Sequence, residues 1–148
     1  MEPLGAGSAA PPIEGIDLSE PRALWFHKVT CPVCKLAAPV AERLSSAYPG
    51  AVAGVGQDPR AELESFAREF GVGFGSTVDS PPYPASDAYG IRVVPTLFLV
   101  DSGQILDVVE SWDRDGYNRV SHGLAELVGT DASVVSTPDD GLPSFRPG

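Results

Sequence analysis

The residues with the clearest chemical potential in this sequence are two cysteines three positions apart, in the run Cys31-Pro32-Val33-Cys34. They are the only two cysteines among the 148 residues. A secreted disulfide scaffold would need more cysteines, spread along the chain. A close pair instead favours a site that forms and breaks its own disulfide during reaction.

The position of the pair predicts that its two thiols differ in reactivity. An apolar run over 23–27 predicts a strand before the pair, and Pro32 suits the first position of a following helix, where its missing N–H costs nothing. Cys31 then caps the helix, and the unpaired N–H groups and positive dipole end favour its thiolate. Cys34 lies deeper. We therefore expect Cys31 to attack a substrate disulfide and Cys34 to resolve the mixed disulfide.

A pair with this spacing also suits two other kinds of site, half of a zinc centre and a static structural disulfide. Zinc usually takes four protein ligands, and only His27 and His122 could supply imidazole nitrogen. The two histidines fall on different predicted elements, so we predict no bound metal and no cofactor. A module that holds a soft metal such as Cu(I) or Zn through the pair remains an alternative.

Composition excludes several classes of function. The formal net charge is −10, and such an anionic surface repels phosphate backbones, so we expect no nucleic-acid partner. No apolar run approaches the ~20 residues that span a bilayer, so we expect no membrane insertion. The N-terminal residues 1–5 lack the features of a secretory signal, which predicts a cytoplasmic protein. The mature domain of an exported protein would show the same pattern.

The elements that must position the cysteines alternate between strand and helix. After the strand over 23–27, the apolar spacing predicts a helix over 32–48. A second helix is predicted to begin with Asp58 as its N-cap and Pro59 at its first position, and to end near Phe70. The remaining predicted elements are strands over 51–56, 76–79, 96–100 and 104–110, and a helix over 115–128.

This order predicts one α/β domain over 13–129. A parallel start joined to an antiparallel hairpin implies a mixed central sheet with helices on both faces. Both ends of the chain are rich in small residues and proline and show no periodicity. We therefore predict a flexible arm over 1–12 and a flexible or surface-laid tail over 130–148, the latter held by Leu142 and Phe145.

Two separate segments resemble the thioredoxin superfamily. The first is the cysteine pair with the helix that follows, which carries Pro39 five residues beyond the second cysteine. The second, 89–97, is similar to the loop that holds a cis proline in that family and contains Val94-Pro95. An inserted helix and loop over about 58–84 is similar to the TlpA/ResA-like and peroxiredoxin-like branches. The resemblance implies a thioredoxin-like fold and a thiol–disulfide oxidoreductase.

The resemblance also implies which residues meet the substrate. A cis bond before Pro95 would bring the backbone of Val94 beside the Cys31 sulfur, where it can pair with an extended peptide, and Pro32 and Val33 complete the expected substrate-binding surface. The implied partners are protein disulfides or dithiols and an unidentified redox partner. We expect the protein itself to be a monomer. Trp25 stands where thioredoxins keep a buried acid, so proton transfer at Cys34 needs another carrier or water.

Within this resemblance, we expect the protein to reduce protein disulfides. A thiol peroxidase of the peroxiredoxin type is the alternative enzyme, although that branch typically has Thr where this chain has Cys31. Two basic residues just upstream, His27 and Lys28, could add positive charge beside the thiolate. Equally, His27 could belong to the strand end and Lys28 could be solvated.

Overall fold

The computed structural model describes residues 2–148, and it places the cysteine pair at the end of a central strand. That strand, β1 (Arg22–His27), is buried from Ala23 onward and leads into α1 (Pro32–Ala47). The elements that follow are β2 (Val52–Gly56), α2 (Arg60–Phe70), β3 (Ser76–Val78), α3 (Pro84–Tyr89), β4 (Thr96–Asp101), β5 (Gln104–Glu110), β6 (Trp112–Asp113), α4 (Arg114–Val128) and β7 (Phe145–Arg146).

Five of the strands form one mixed sheet in the order β3-β2-β1-β4-β5. Strands β1, β2 and β3 run parallel, whereas β4 is antiparallel to both β1 and β5. The predicted mixed sheet with a C-terminal hairpin is therefore confirmed. Because β1 lies between β2 and β4, the loop that follows it reaches the middle of one sheet end, where neighbouring loops can converge on the cysteines.

The central strands divide the core into two layers. Side chains alternate along a strand, so neighbours point to opposite faces. Trp25 packs with residues of α1 and α4 on one face, whereas Phe26 packs with Tyr89 of α3 on the other. The prediction of helices on both faces is confirmed. In the described part of the chain, no helix combines the length and apolar character needed to cross a membrane.

The start of α2 differs from the prediction, which made Asp58 its N-cap. The N-cap is Pro59, the first helical residue is Arg60, and no side chain caps this end. The Asp58 carboxylate instead accepts the backbone N–H of Val29 at 2.8 Å. The prediction was wrong because a loop distant in sequence uses the acceptor that a local cap would need.

Helix α3 forms in a region where the sequence predicted no regular element. The backbone N–H groups of its first turn find an acceptor outside the helix. The Asp79 carboxylate accepts those of Ala85 and Ser86 at 3.0 and 2.8 Å. The Ser86 hydroxyl adds a third bond at 2.7 Å. A six-residue helix is too short to show apolar periodicity, and the acceptor for its first turn lies outside it, in the loop that follows β3.

Both terminal segments contact the domain. Within residues 2–12, Gly7 and Ala10 donate backbone hydrogen bonds to β5 and its turn, at 2.8 and 2.9 Å. In the tail, Leu142 packs against the core, but the side chain of Phe145 is 53% exposed, so the expected apolar anchor at Phe145 is wrong. Phe145 is held by its backbone, which pairs with β6. Met1, part of the predicted arm, lies outside the described residues, and the domain boundaries stay a prediction.

Candidate active site

The cysteine pair occupies the first turn of α1 as the sequence predicts. Cys31 is the N-cap, with an extended backbone, and its sulfur accepts the N–H of Cys34 at 3.2 Å. Pro32 follows at the start of the helix. Both cysteines are free thiols in this structure; Cys31 is partly exposed, while Cys34 is buried. A disulfide between them would therefore present one accessible sulfur.

The surroundings of the two thiols move their pKa values in opposite directions. The pKa of Cys31 is lowered to about 6, chiefly by the hydrogen bond from the Cys34 thiol, against the effect of burial, with help from the N–H groups of Cys34 and Val33 and from the charge of Lys28. Burial, followed by the hydrogen bond to Cys31, raises the pKa of Cys34 far above its ordinary range. At neutral pH the pair thus consists of one thiolate and one thiol.

The loop before β4 forms the opposite wall of the site. The Val94–Pro95 peptide bond is cis, as the resemblance implied. In its thiol form, Cys31 donates to the Val94 carbonyl oxygen at 3.4 Å. The loop is held on both sides, since Thr96 donates its hydroxyl to the Val93 carbonyl at 2.8 Å and Ser111 donates its N–H to the Pro95 carbonyl at 2.8 Å. The backbone of Val94 is thereby fixed beside the reactive sulfur.

The other predicted substrate-binding residues also lie at the mouth of the site. Pro32 is exposed, and Val33 is partly buried against the core on the same turn as the cysteines. The structure therefore brings Cys31, Cys34, Val94, Pro32 and Val33 together at one end of the sheet. Whether the last three contact substrate stays a prediction.

Behind the pair, an aromatic cluster fills the position of the missing acid. The Trp25 indole N–H donates to the Tyr117 hydroxyl at 2.9 Å, and both side chains are fully buried. The His27 ring stacks on Trp25 with a centroid separation of 4.4 Å. Burial lowers the pKa of His27 to about 4, so this imidazole is neutral at pH 7 and adds no positive charge beside Cys31. Of the two upstream basic residues, only Lys28 does so.

Sequence reasoning missed two residues that shape the site, Tyr117 and Asp58. Tyr117 follows the apolar face of α4, so the sequence indicates that it is buried but not that it pairs with Trp25. Asp58 does have a signal in the sequence, because it is a hydrogen-bond acceptor directly before a proline. The sequence predicted that it caps the N-terminus of α2, whereas its actual donor is the N–H of Val29. Its charge raises the pKa of Cys34 and it fixes Val29, two residues before Cys31.

Metal ligands other than the two thiols are not gathered here. Across residues 2–148, no group of three or more His, Cys, Asp or Glu side chains is arranged to hold a metal ion. His27, the histidine nearest in sequence to the pair, points its Nδ1 at the Trp25 carbonyl oxygen at 3.2 Å.

No protein-family model matches this sequence, and no curated protein sequence matches it. Among solved structures, Mycobacterium tuberculosis DsbF, determined in mixed oxidised and reduced forms, is 27% identical with a TM-score of 0.62, over 72% of this chain and 81% of that one. The thioredoxin domain of a Bacteroides vulgatus thiol-disulfide oxidoreductase is 23% identical with a TM-score of 0.67, over 82% and 99%.

A third similar structure is a secreted M. tuberculosis disulfide oxidoreductase described as homologous to E. coli DsbE. It is 22% identical with a TM-score of 0.54, over 62% of this chain and 69% of that one. The Bacteroides vulgatus protein and the secreted M. tuberculosis protein are described as oxidoreductases, and the fold that the two sequence motifs indicated is confirmed. The chain has the thioredoxin-like fold.

Proposed function

We propose that this protein is a thiol–disulfide oxidoreductase that reduces disulfides of protein substrates through Cys31 and Cys34. The observation that carries the proposal is the contrast inside one helical turn. A partly exposed cysteine whose pKa is lowered to about 6 accepts hydrogen bonds from a buried cysteine that keeps its proton. Such a pair suits nucleophilic attack followed by intramolecular resolution.

In the first step, the Cys31 thiolate attacks one sulfur of a substrate disulfide. The substrate S–S bond breaks, a Cys31–substrate disulfide forms, and the departing thiolate takes a proton from water. In the second step, Cys34 loses its proton and attacks the Cys31 sulfur, which releases the second substrate thiol. The substrate gains two electrons and two protons, and the pair becomes a disulfide that a dithiol partner must reduce.

The geometry helps the second step once the first has occurred. Part of what raises the Cys34 pKa is the neighbouring Cys31 sulfur, through its hydrogen bond and its charge. Both effects end when Cys31 is bound to substrate sulfur, because that sulfur is no longer a thiolate. Cys34 therefore loses its proton more easily in the mixed disulfide than in the resting pair, although burial still opposes ionisation.

The mouth of the site suits an extended protein segment. The Val94 carbonyl lies beside Cys31, with Pro32 and Val33 on the adjoining turn. We assign all three to substrate binding. The chain acts as a monomer in this proposal, and a reducing role would suit the cytosol, where glutathione and thioredoxin keep thiols reduced.

The reduction potential of the pair tests the proposal. Purified protein is equilibrated in graded glutathione buffers, alkylated, and analysed by mass for zero or two free thiols. A single two-electron transition near the thioredoxin value of about −270 mV is the expected result. A value near about −120 mV would instead indicate an oxidase that works in an exported setting. Absence of any two-electron transition would overturn the proposed function.

A further inference from the structure

The last residues of the chain lie on the loop that faces Cys31. We define the strap as residues 145–148. The N–H of Gly148 donates to the Ser111 hydroxyl at 2.9 Å. The Gly148 backbone is so close to the loop that an added Cβ would overlap the Val94 carbonyl oxygen and would lie 3.4 Å from the Val93 Cβ. Only glycine fits this contact without displacing the strap.

The strap and the Cys31 sulfur lie next to the same atom, the Val94 carbonyl oxygen. The Val94 carbonyl oxygen that an added Gly148 Cβ would overlap is the oxygen that lies 3.4 Å from the Cys31 sulfur. Ser111, which holds Gly148, also donates its own N–H to the Pro95 carbonyl at 2.8 Å. The strap is therefore tied to the wall of the active site, on the surface formed by Val93, Val94 and Ser111.

The strap is attached more weakly than the chain just before it. The Arg114 guanidinium donates to the Leu142 carbonyl at 2.8 Å, and the Trp112 indole donates to the Pro143 carbonyl at 2.6 Å. Beyond that point, the strap is held only by the pairing of the two-residue strands β6 and β7 and by the Gly148–Ser111 hydrogen bond, and all four strap residues are exposed. A ladder of two-residue strands is only marginally stable by itself. The strap can therefore detach while the anchored part of the tail stays in place.

Resting on the proposed function and its assignment of Val94 to substrate binding, we propose that the strap is an autoinhibitory segment. It lies on the surface formed by Val93, Val94 and Ser111 and must be displaced before the extended segment of a protein substrate can bind there. The strap is itself a peptide seated there by a backbone N–H, so it shows the chemistry that the surface accepts. A small disulfide needs only the exposed face of the Cys31 sulfur and does not compete with the strap.

The test compares full-length protein with a variant that lacks residues 145–148 but retains the anchors at Leu142 and Pro143. Reduction of insulin and of hydroxyethyl disulfide is followed for both proteins in the reduced state. We expect insulin reduction to accelerate by about threefold to tenfold, since the apparent affinity scales with the fraction of open molecules. Reduction of hydroxyethyl disulfide should stay unchanged.

A point variant guards against loss of folding in the deletion. Gly148→Val places a side chain against the Val94 carbonyl and should reproduce the acceleration with the chain length unchanged. Val134→Ala is the matched control, because Val134 belongs to the same tail but is 63% exposed, and its rates should equal those of the unaltered protein. A synthetic peptide of residues 142–148, added to the deletion variant, should slow insulin reduction, whereas a scrambled peptide should not.

The outcomes separate the strap from the function on which it rests. Equal insulin rates in the full-length, deleted and Gly148→Val proteins would overturn the strap proposal. A slower insulin rate in the two variants would also overturn it, because the strap would then be part of the substrate site. An equal acceleration for both disulfides would also overturn it, since it would indicate a change in thiol reactivity. If no protein reduces either disulfide, the proposed function itself fails.

Discussion

The two sulfurs of the site, one helical turn apart, occupy two regions with opposite physical properties. At the mouth, Cys31 is partly exposed and receives hydrogen bonds from two backbone N–H groups and a thiol. In the interior, Cys34 has no exposed surface and lies in the core cluster that contains Trp25 and Tyr117. The difference shows how one turn of helix can hold a ready nucleophile and a protected one, because solvent access changes so steeply across the first three residues.

Replacing either cysteine by serine should have the largest effect on this contrast. Cys31→Ser should abolish disulfide exchange, since it removes the accessible nucleophile. Cys34→Ser should retain the first step and accumulate the mixed disulfide, since resolution is lost. Both are followed by non-reducing electrophoresis after mixing with a disulfide substrate. Accumulation of a covalent complex with Cys31→Ser instead would reverse the assignment of the two roles.

The pH dependence of thiol alkylation measures the same contrast without changing the chain. The lowered pKa of Cys31 implies that its iodoacetamide reaction rate falls about tenfold per pH unit below about 6 and levels off above it. Cys34, whose pKa is raised, should stay unmodified across this range in folded protein. Peptide mapping by mass spectrometry identifies which cysteine reacts. A midpoint near the ordinary thiol value, or modification of Cys34 first, would contradict the assigned environments.

Tyr117→Phe is expected to have the smallest of the three effects, on the interior alone. It leaves the buried Trp25 indole N–H without the acceptor it has at 2.9 Å, which should cost about 1–3 kcal/mol of unfolding free energy. Urea denaturation of reduced protein provides the measurement. Tyr83→Phe, at a 38% exposed tyrosine, is the control and should change stability little. A loss of stability no larger than that control would show that the Trp25–Tyr117 bond contributes nothing net.

The two ends of the chain show where sequence reasoning stopped. Both are poor in periodic apolar residues, and the sequence predicted a flexible arm at one end and a flexible or surface-laid tail at the other. In the structure, the N-terminal segment pairs with the far strand of the sheet, β5, whereas the tail crosses α4 and reaches the cis-proline loop. Composition reports how much apolar surface a segment can bury. It does not report which backbone groups of the domain remain open to pair with that segment.

The polarity of the cysteine pair could be predicted because its causes are local. An N-cap, a proline at the helix start and a spacing of three residues lie within four positions of one another, and helical geometry relates them directly. The second motif placed Val94 beside Cys31 only through its likeness to a family. The structure confirms that placement with a contact between residues 63 positions apart.

What stands around the pair was decided by the tertiary structure. Three hydrogen bonds join residues far apart in the sequence. Trp25 donates to Tyr117 over a separation of 92 positions, Val29 donates to Asp58 over 29, and Gly148 donates to Ser111 over 37. An apolar pattern predicts that a side chain is buried, and a polar residue before a helix predicts a cap, but neither pattern names a partner. Partners follow from the strand order, which brings β1, β2, β4 and their loops to one sheet end. Local sequence therefore determined the reactive turn, and the packing of distant segments determined its walls, its interior and its cover.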